Sequence, residues 1–206
     1  LARNKKAKEL ICSGAAGKIL GATGSVLWHR DAPYYTESHW RGFMATEGGG
    51  VMINQAIHTL DLMLWLCGEP KCLSATVANH HLKDVIDVED TAEACITFQN
   101  GARGIFFATT ANYTDAPISL EIACENMHLE LKNDDLYING IPQKLEESFV
   151  MESGKAYWGV GHKMLFDDFY RRLDHGEEMP IGVSEAAKAL RVLLAMYASN
   201  GKNIDF

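Results

Sequence analysis

The chain has 206 residues, is 47% hydrophobic, and carries 19 Lys and Arg against 27 Asp and Glu, a formal net charge of -8. It is long enough for one well-packed core and short for two full domains. The acidic balance includes no run of Lys or Arg, which excludes the electrostatic footprint of a nucleic-acid or anionic-membrane binder. No segment has the length and apolarity of a membrane span, and no basic-then-apolar leader opens the chain. Five scattered cysteines (Cys12, Cys67, Cys72, Cys95 and Cys124) form no CxxC pair, which predicts reduced, mostly buried thiols in a cytoplasmic protein.

In chain order, residues 2–12 have helical composition and stop at Ser13-Gly14, with no cap at their start. The sequence is therefore expected to continue an upstream segment. A Gly-rich, strand-like run covers 18–28. The following loop is dense in aromatic and hydrogen-bonding groups: Trp28, His29, Arg30, Asp31, Tyr34, Tyr35, His39, Trp40 and Arg41. Gly48-Gly49-Gly50 lacks the GxGxxG spacing of a phosphate loop and predicts a tight turn or close packing instead. A second helix spans 51–66, closed by Gly68 and Pro70.

From Lys71 the hydrophobic period changes to two, predicting strands over 73–77, 91–98, 102–110, 118–124, 127–131 and 136–138. Asn100-Gly101 and Asn139-Gly140 are hairpin dipeptides, so most pairings are expected to be antiparallel. One strand face is apolar and the other mixed, as in a sheet covered by helices on one side only. Helices over 162–175 and from a Ser184 cap to Asn200 close the chain. The expected class is α+β, an open, mainly antiparallel or mixed sheet with helices on one face, as a single domain over residues 1–206.

The 51–66 helix is apolar nearly all round, so its polar residues are informative. At α-helical spacing Asn54, His58 and Asp61 fall within an arc of roughly 60°. Two explanations stand. His58 and Asp61 form a satisfied pair pinning the helix, or His58 is a general base, since its ordinary pKa suits proton exchange with a hydroxyl near neutrality. No metal is expected, because His58 and Asp61 lack a third ligand. Glu89-Asp90 is expected to be a solvated or turn-bonding pair at a strand start, and Arg41 has Glu47 as an available partner.

Trp40-Arg41-Gly42, Glu47-Gly-Gly-Gly-Val-Met-Ile-Asn-Gln-Ala-Ile-His-Thr-Leu-Asp61 and Gly68-Glu-Pro are followed by Val88-Glu-Asp-Thr-Ala, the Phe98-Gln-Asn-Gly-Ala turn, Gly161-His162 before Asp168-Phe-Tyr, and Ala198-Ser-Asn-Gly-Lys. In that order they resemble the C-terminal domain of the Gfo/Idh/MocA oxidoreductases along essentially the whole chain. The resemblance implies a glyceraldehyde-3-phosphate dehydrogenase-like C-terminal fold. It also implies a partner Rossmann domain that binds NAD or NADP, with residues 1–17 the remnant of the helix that follows it.

No GxGxxG and no Glu-Lys-Pro segment, the family's usual source of the catalytic lysine, occurs here, so this stretch alone is expected to be inactive. By resemblance His58 is the catalytic proton acceptor, and Asn54 stands where many members have aspartate. Trp40 and Arg41 approach the cofactor, and Arg30, Tyr34, Tyr35, Asn54 and His162 line the pocket for a sugar, nucleotide sugar or cyclitol. A homodimer or homotetramer through the open sheet face is expected, with no nucleic-acid or membrane partner. The alternative function is a non-catalytic ligand-sensing or oligomerisation module.

Overall fold

A computed structural model describes residues 1–132, 135–145, 161–179 and 181–206. Helix α1 (Ala2–Cys12) leads into β1 (Ile19–Leu27), two short helices α2 (Ala32–Thr36) and α3 (Met44–Glu47), a π-helical turn (Met52–Ala56) and α4 (Ile57–Cys67). Strands β2 (Pro70–Ala78), β3 (Thr91–Phe98), β4 (Arg103–Thr109), β5 (Ser119–Cys124), β6 (His128–Lys132), β7 (Asp135–Ile138) and β8 (Ile141–Pro142) follow. Helices α5 (Gly161–His175) and α6 (Val183–Ser199) and strand β9 (Ile204–Asp205) complete the order.

The strands form one sheet in the order β8-β7-β6-β5-β1-β4-β3-β2-β9. Among the described residues every pairing is antiparallel except β1 with β4, which run parallel side by side at its centre. The class is therefore α+β with an open mixed sheet, as the period-two patterning predicts. The hairpin dipeptides behave as expected: Gly101, Asn139 and Gly140 all have positive φ, at 88°, 51° and 77°.

Burial alternates along the central strands. Ala22, Gly24 and Val26 of β1, Phe106 and Ala108 of β4, and Ala92, Ala94 and Ile96 of β3 face the core. Met63 of α4 and Leu193 and Met196 of α6 belong to the same core cluster and are fully buried. Close approach depends on two strand glycines. A Cβ on Gly24 would lie 2.8 Å from the Phe106 ring, and one on Gly104 would lie 2.7 Å from the Met63 methyl. The opposite face keeps Ile105, Phe107 and Cys95 exposed.

Several details depart from sequence expectation. The aromatic loop contains the two short helices α2 and α3, and the 51–66 helix opens with a π-helical turn. Helix α6 starts after Gly182 without a side-chain cap, so Ser184 is not its N-cap. Strands β8 and β9 are too short for a periodic signal. Only Cys67 and Cys124 are buried, whereas Cys12 and Cys95 are exposed, because Cys12 ends a surface helix and Cys95 points to the open sheet face.

Candidate active site

The buried carboxylates Glu89 and Asp90 begin the site's framework. Gly50 and Met52 donate their N–H groups to the Glu89 carboxylate at 2.9 Å each, and Tyr197 of α6 donates its hydroxyl at 2.7 Å. Val51 donates to the Glu89 carbonyl at 3.1 Å. Residues 50–52 are thus held against residue 89 at the entry to the π-helical turn, whose first residue is Met52. A side chain at Gly50 is excluded, since its Cβ would lie 1.9 Å from the Glu89 carbonyl oxygen. Of the triple glycine, Gly49 and Gly50 are closely packed and Gly48 makes the left-handed turn that ends α3, the two uses expected. Burial, with the Glu89 charge beside it, pushes the Tyr197 phenol far above its ordinary value of 10.0.

Asp90 accepts backbone N–H groups from His80, His81 and Leu82 and the Thr91 hydroxyl. Burial works to raise its pKa, but these donors outweigh burial and hold it below 3.8. The expectation that Glu89 and Asp90 are solvated is overturned, because both are buried. Their turn-bonding is what makes burial tolerable.

Around this framework lies a stack of aromatic rings and guanidinium groups. Arg41 sits 4.5 Å from the Tyr34 ring centroid and 4.9 Å from that of Trp40, and Arg30 sits 5.2 Å from Tyr34 and 5.0 Å from Trp28. The two cations differ in how their donors are used. Arg30 bonds Asp115 at 2.9 Å and its neighbouring carbonyl of His29, whereas Arg41 makes no ion pair among the described residues and its Nε is sealed without a partner. Glu47, the expected partner of Arg41, is instead engaged by the Gly42 N–H at 2.6 Å and the Asn54 amide at 2.5 Å. Gln55, 7% exposed, donates to the Tyr34 hydroxyl at 3.4 Å and leaves its Oε1 sealed and unpartnered.

Trp40, Arg41, Arg30, Tyr34 and Gln55 are therefore linked by direct contacts, and Glu47 and Asn54 by a hydrogen bond of their own. Tyr35 is turned the other way. It is buried with Leu82, Ile86 and Val88, its hydroxyl donates to Thr110 at 3.4 Å, and it supports Tyr34 edge-on at 4.9 Å. His58 lies one turn beyond Asn54 and is exposed, as is Asp61. Partial burial raises the Asp61 pKa above 3.8, the neighbouring His58 lowers it, and Glu185 of α6 raises it. His58 forms no hydrogen bond among the described residues, so the satisfied buried pair weighed against a general base is not what the structure contains. His162 is exposed at the start of α5 and bonds none of these residues.

Glu47, Gln55, Glu89 and Tyr197 were not singled out as candidates from sequence. The glycines after Glu47 break the helical register that would put it on one face with Asn54, and Tyr197 meets Glu89 across 108 residues. A cavity of about 610 Å³ lies beyond the ends of β1 and β4, lined by residues including His29, His81 and Asn112. None of the candidate residues lines it.

The fold and these motifs agree with known proteins. The model of the GFO/IDH/MocA C-terminal domain matches residues 4–130, and the chain belongs to that family. No curated protein sequence matches it. Among solved structures it is similar to the WlbA dehydrogenase from Bordetella pertussis in complex with NADH and UDP-GlcNAcA, with 26% identity and a TM-score of 0.82 over 100% of this chain and 60% of that one. The WlbA dehydrogenase from Chromobacterium violaceum, in complex with the same two ligands, matches at 25% identity and a TM-score of 0.78, covering 100% of this chain and 61% of that one. A levoglucosan dehydrogenase, at 21% identity and a TM-score of 0.82, shares the fold over 99% of this chain and 64% of its own. The chain thus spans about 60% of the length of the WlbA structures it resembles.

Proposed function

We propose that this chain is the substrate-binding part of a dehydrogenase that moves a hydride between NAD or NADP and a secondary alcohol of a sugar, nucleotide sugar or cyclitol. The observation that carries the proposal is His58. On a helix whose other side is core, its imidazole stands exposed, with no hydrogen bond among the described residues, one turn from an anchored Asn54. Such a ring is free to accept the hydroxyl proton as the carbinol carbon gives up its hydride, leaving a carbonyl, and to return the proton in reverse. Asn54 orients that hydroxyl. Tyr34 and Arg30, with His162 from α5, bound the sugar, and Tyr35 supports Tyr34 from behind.

Bound nicotinamide supplies the hydride acceptor or donor. The residues present suit one edge of that cofactor rather than its whole length. Trp40 offers an exposed ring, and Arg41 offers a stacked guanidinium with no carboxylate partner among the described residues. The proposed assembly is a homodimer or homotetramer formed over the open sheet face, where Leu20, Ile105 and Phe107 are exposed.

The test is nicotinamide absorbance in the full-length protein across a panel of sugars and cyclitols, beside His58→Ala. The expected result is turnover that falls by roughly 10²–10⁴-fold in the variant. Unchanged turnover in His58→Ala removes the histidine from the reaction.

A further inference from the structure

Asn54 stands where a charged aspartate is frequent in the resembling family, and an amide has two chemically different ends. Which end meets a ligand decides whether the residue reads a donor or an acceptor. Here the answer is set by Glu47. The Asn54 Nδ2 lies 2.5 Å from Glu47 Oε1, and the other Glu47 oxygen is held at 2.6 Å by the Gly42 N–H. A carboxylate only accepts, so the NH2 end of the amide must face it, and the reversed amide would set oxygen against oxygen. The Asn54 Oδ1 is left as the free end. It accepts no hydrogen bond among the described residues and is not among the polar atoms sealed from solvent.

The carboxylate is itself anchored. Helix α3, which carries Glu47, ends at Gly48 with φ of 83°, and Gly49 follows with φ of 157° against the Tyr197 hydroxyl. The turn between Glu47 and the π-helical turn is therefore short, glycine-built and packed, leaving the carboxylate little freedom to swing away.

We infer that Glu47 is a positioning residue that locks the Asn54 amide so that its Oδ1 faces the ligand as a hydrogen-bond acceptor. This rests on the dehydrogenase reading above and sharpens it. The substrate presents an O–H donor at this point, as a sugar or cyclitol does. The pair Glu47–Asn54 does jointly what one aspartate does alone: the glutamate holds the negative charge, and the asparagine presents the oxygen.

A reciprocal exchange tests this in the full-length protein. Glu47→Gln keeps size and one acceptor for Gly42 but lets the Asn54 amide reverse. Asn54→Asp sets two carboxylates about a hydrogen bond apart. Combining them restores a donor–acceptor pair with its direction reversed: the amide introduced at position 47 donates to the carboxylate introduced at position 54, which still offers an oxygen to the substrate. Each single variant is expected to lose about tenfold to a hundredfold in kcat/KM, and the double variant to return to within a few-fold of the parent. The probes are UDP-GlcNAcA, levoglucosan and D-glucose with NAD, using whichever is oxidised fastest.

Thermal stability between pH 4 and pH 9 gives a reading independent of turnover. Asn54→Asp should fall progressively behind the parent as pH rises and both carboxylates ionise, and adding Glu47→Gln should remove that slope. Losses that multiply in the double variant, or wild-type kinetics in Glu47→Gln, overturn the inference even if His58→Ala is inactive and the dehydrogenase reading stands. If none of the three sugars is oxidised, the stability slopes alone decide. Rescue in the double variant supports the pair, and a persistent slope sinks it.

Discussion

Two polar regions of this chain are built on opposite terms. In the strap around Glu89 and Asp90 the carboxylates are buried and bonded to backbone donors. On the outward face of α4, His58 and Asp61 are exposed, and His58 has no hydrogen-bond partner among the described residues. A buried polar group must be satisfied within the fold or it destabilises it. A group meant for a ligand must instead stay unsatisfied until the ligand arrives. The contrast separates scaffold from candidate site without reference to conservation: polar atoms satisfied inside the protein hold the helix start, and exposed, unsatisfied ones are available for chemistry.

Removing a satisfied group should have the largest effect. Glu89→Ala orphans the Gly50 and Met52 donors, each worth about 1–3 kcal/mol when left buried without an acceptor. Urea denaturation is therefore expected to show a loss of at least about 2–6 kcal/mol, twice that single-donor range for the two backbone donors, with the Tyr197 hydroxyl losing its acceptor as well. Glu89→Gln, which keeps one acceptor, should lose less. A loss below about 1 kcal/mol in Glu89→Ala would mean that the strap does not anchor residues 50–52.

The two aspartates should respond to pH with opposite signs. The folded pKa of Asp90 lies below 3.8, so its contribution is present above that value and is lost as pH falls through the lowered value. Asp90→Asn should remove this acid-limb loss, measured as the melting temperature between pH 7 and pH 2. The folded pKa of Asp61 lies above 3.8, so its contribution is full below 3.8 and is lost as pH rises through the raised value. Asp61→Asn should therefore match the parent at pH below 3.8 and be the more stable of the two at neutrality. The same sign for both variants would break the contrast.

The smallest stability effect is expected from an unsatisfied group. His58→Ala should stay within about 0.5 kcal/mol of the parent in urea denaturation, because the ring is exposed and forms no hydrogen bond among the described residues. A stability loss comparable to that of Glu89→Ala would return His58 to the framework.

Much of this contrast was legible from sequence, but unevenly. His58 and Asn54 stood out because apolar helical periodicity makes any polar exception conspicuous, and the triple glycine announced close packing. Trp40-Arg41 stood out only by its resemblance to a cofactor-facing motif, and the stack it joins with Tyr34 was not legible. Glu47, Gln55 and Tyr197 were not legible as site or framework residues, because each acquires its role from a partner that the fold supplies. Tyr35 and Tyr34 are adjacent and identical in type, yet one packs under Thr110 and the other stacks between two arginines. Only the short helix α2, begun by the Asp31 cap and Pro33, turns the two rings apart.

By itself, the sequence determined the class of the fold, the strands with their hairpin turns, the helix carrying His58 and the family to which the chain belongs. These rest on local periodicity, turn chemistry and ordered short motifs, all carried by neighbouring residues. Tertiary structure alone decided that β1 inserts parallel beside β4, that Glu89 and Asp90 are buried, that Glu47 takes the Asn54 amide and that Arg41 keeps its charge unpaired among the described residues. Each of these is settled by which distant groups meet in space. A hydrogen bond's stabilisation depends on whether its partner arrives and water leaves, and neither is encoded in the spacing of residues along the chain.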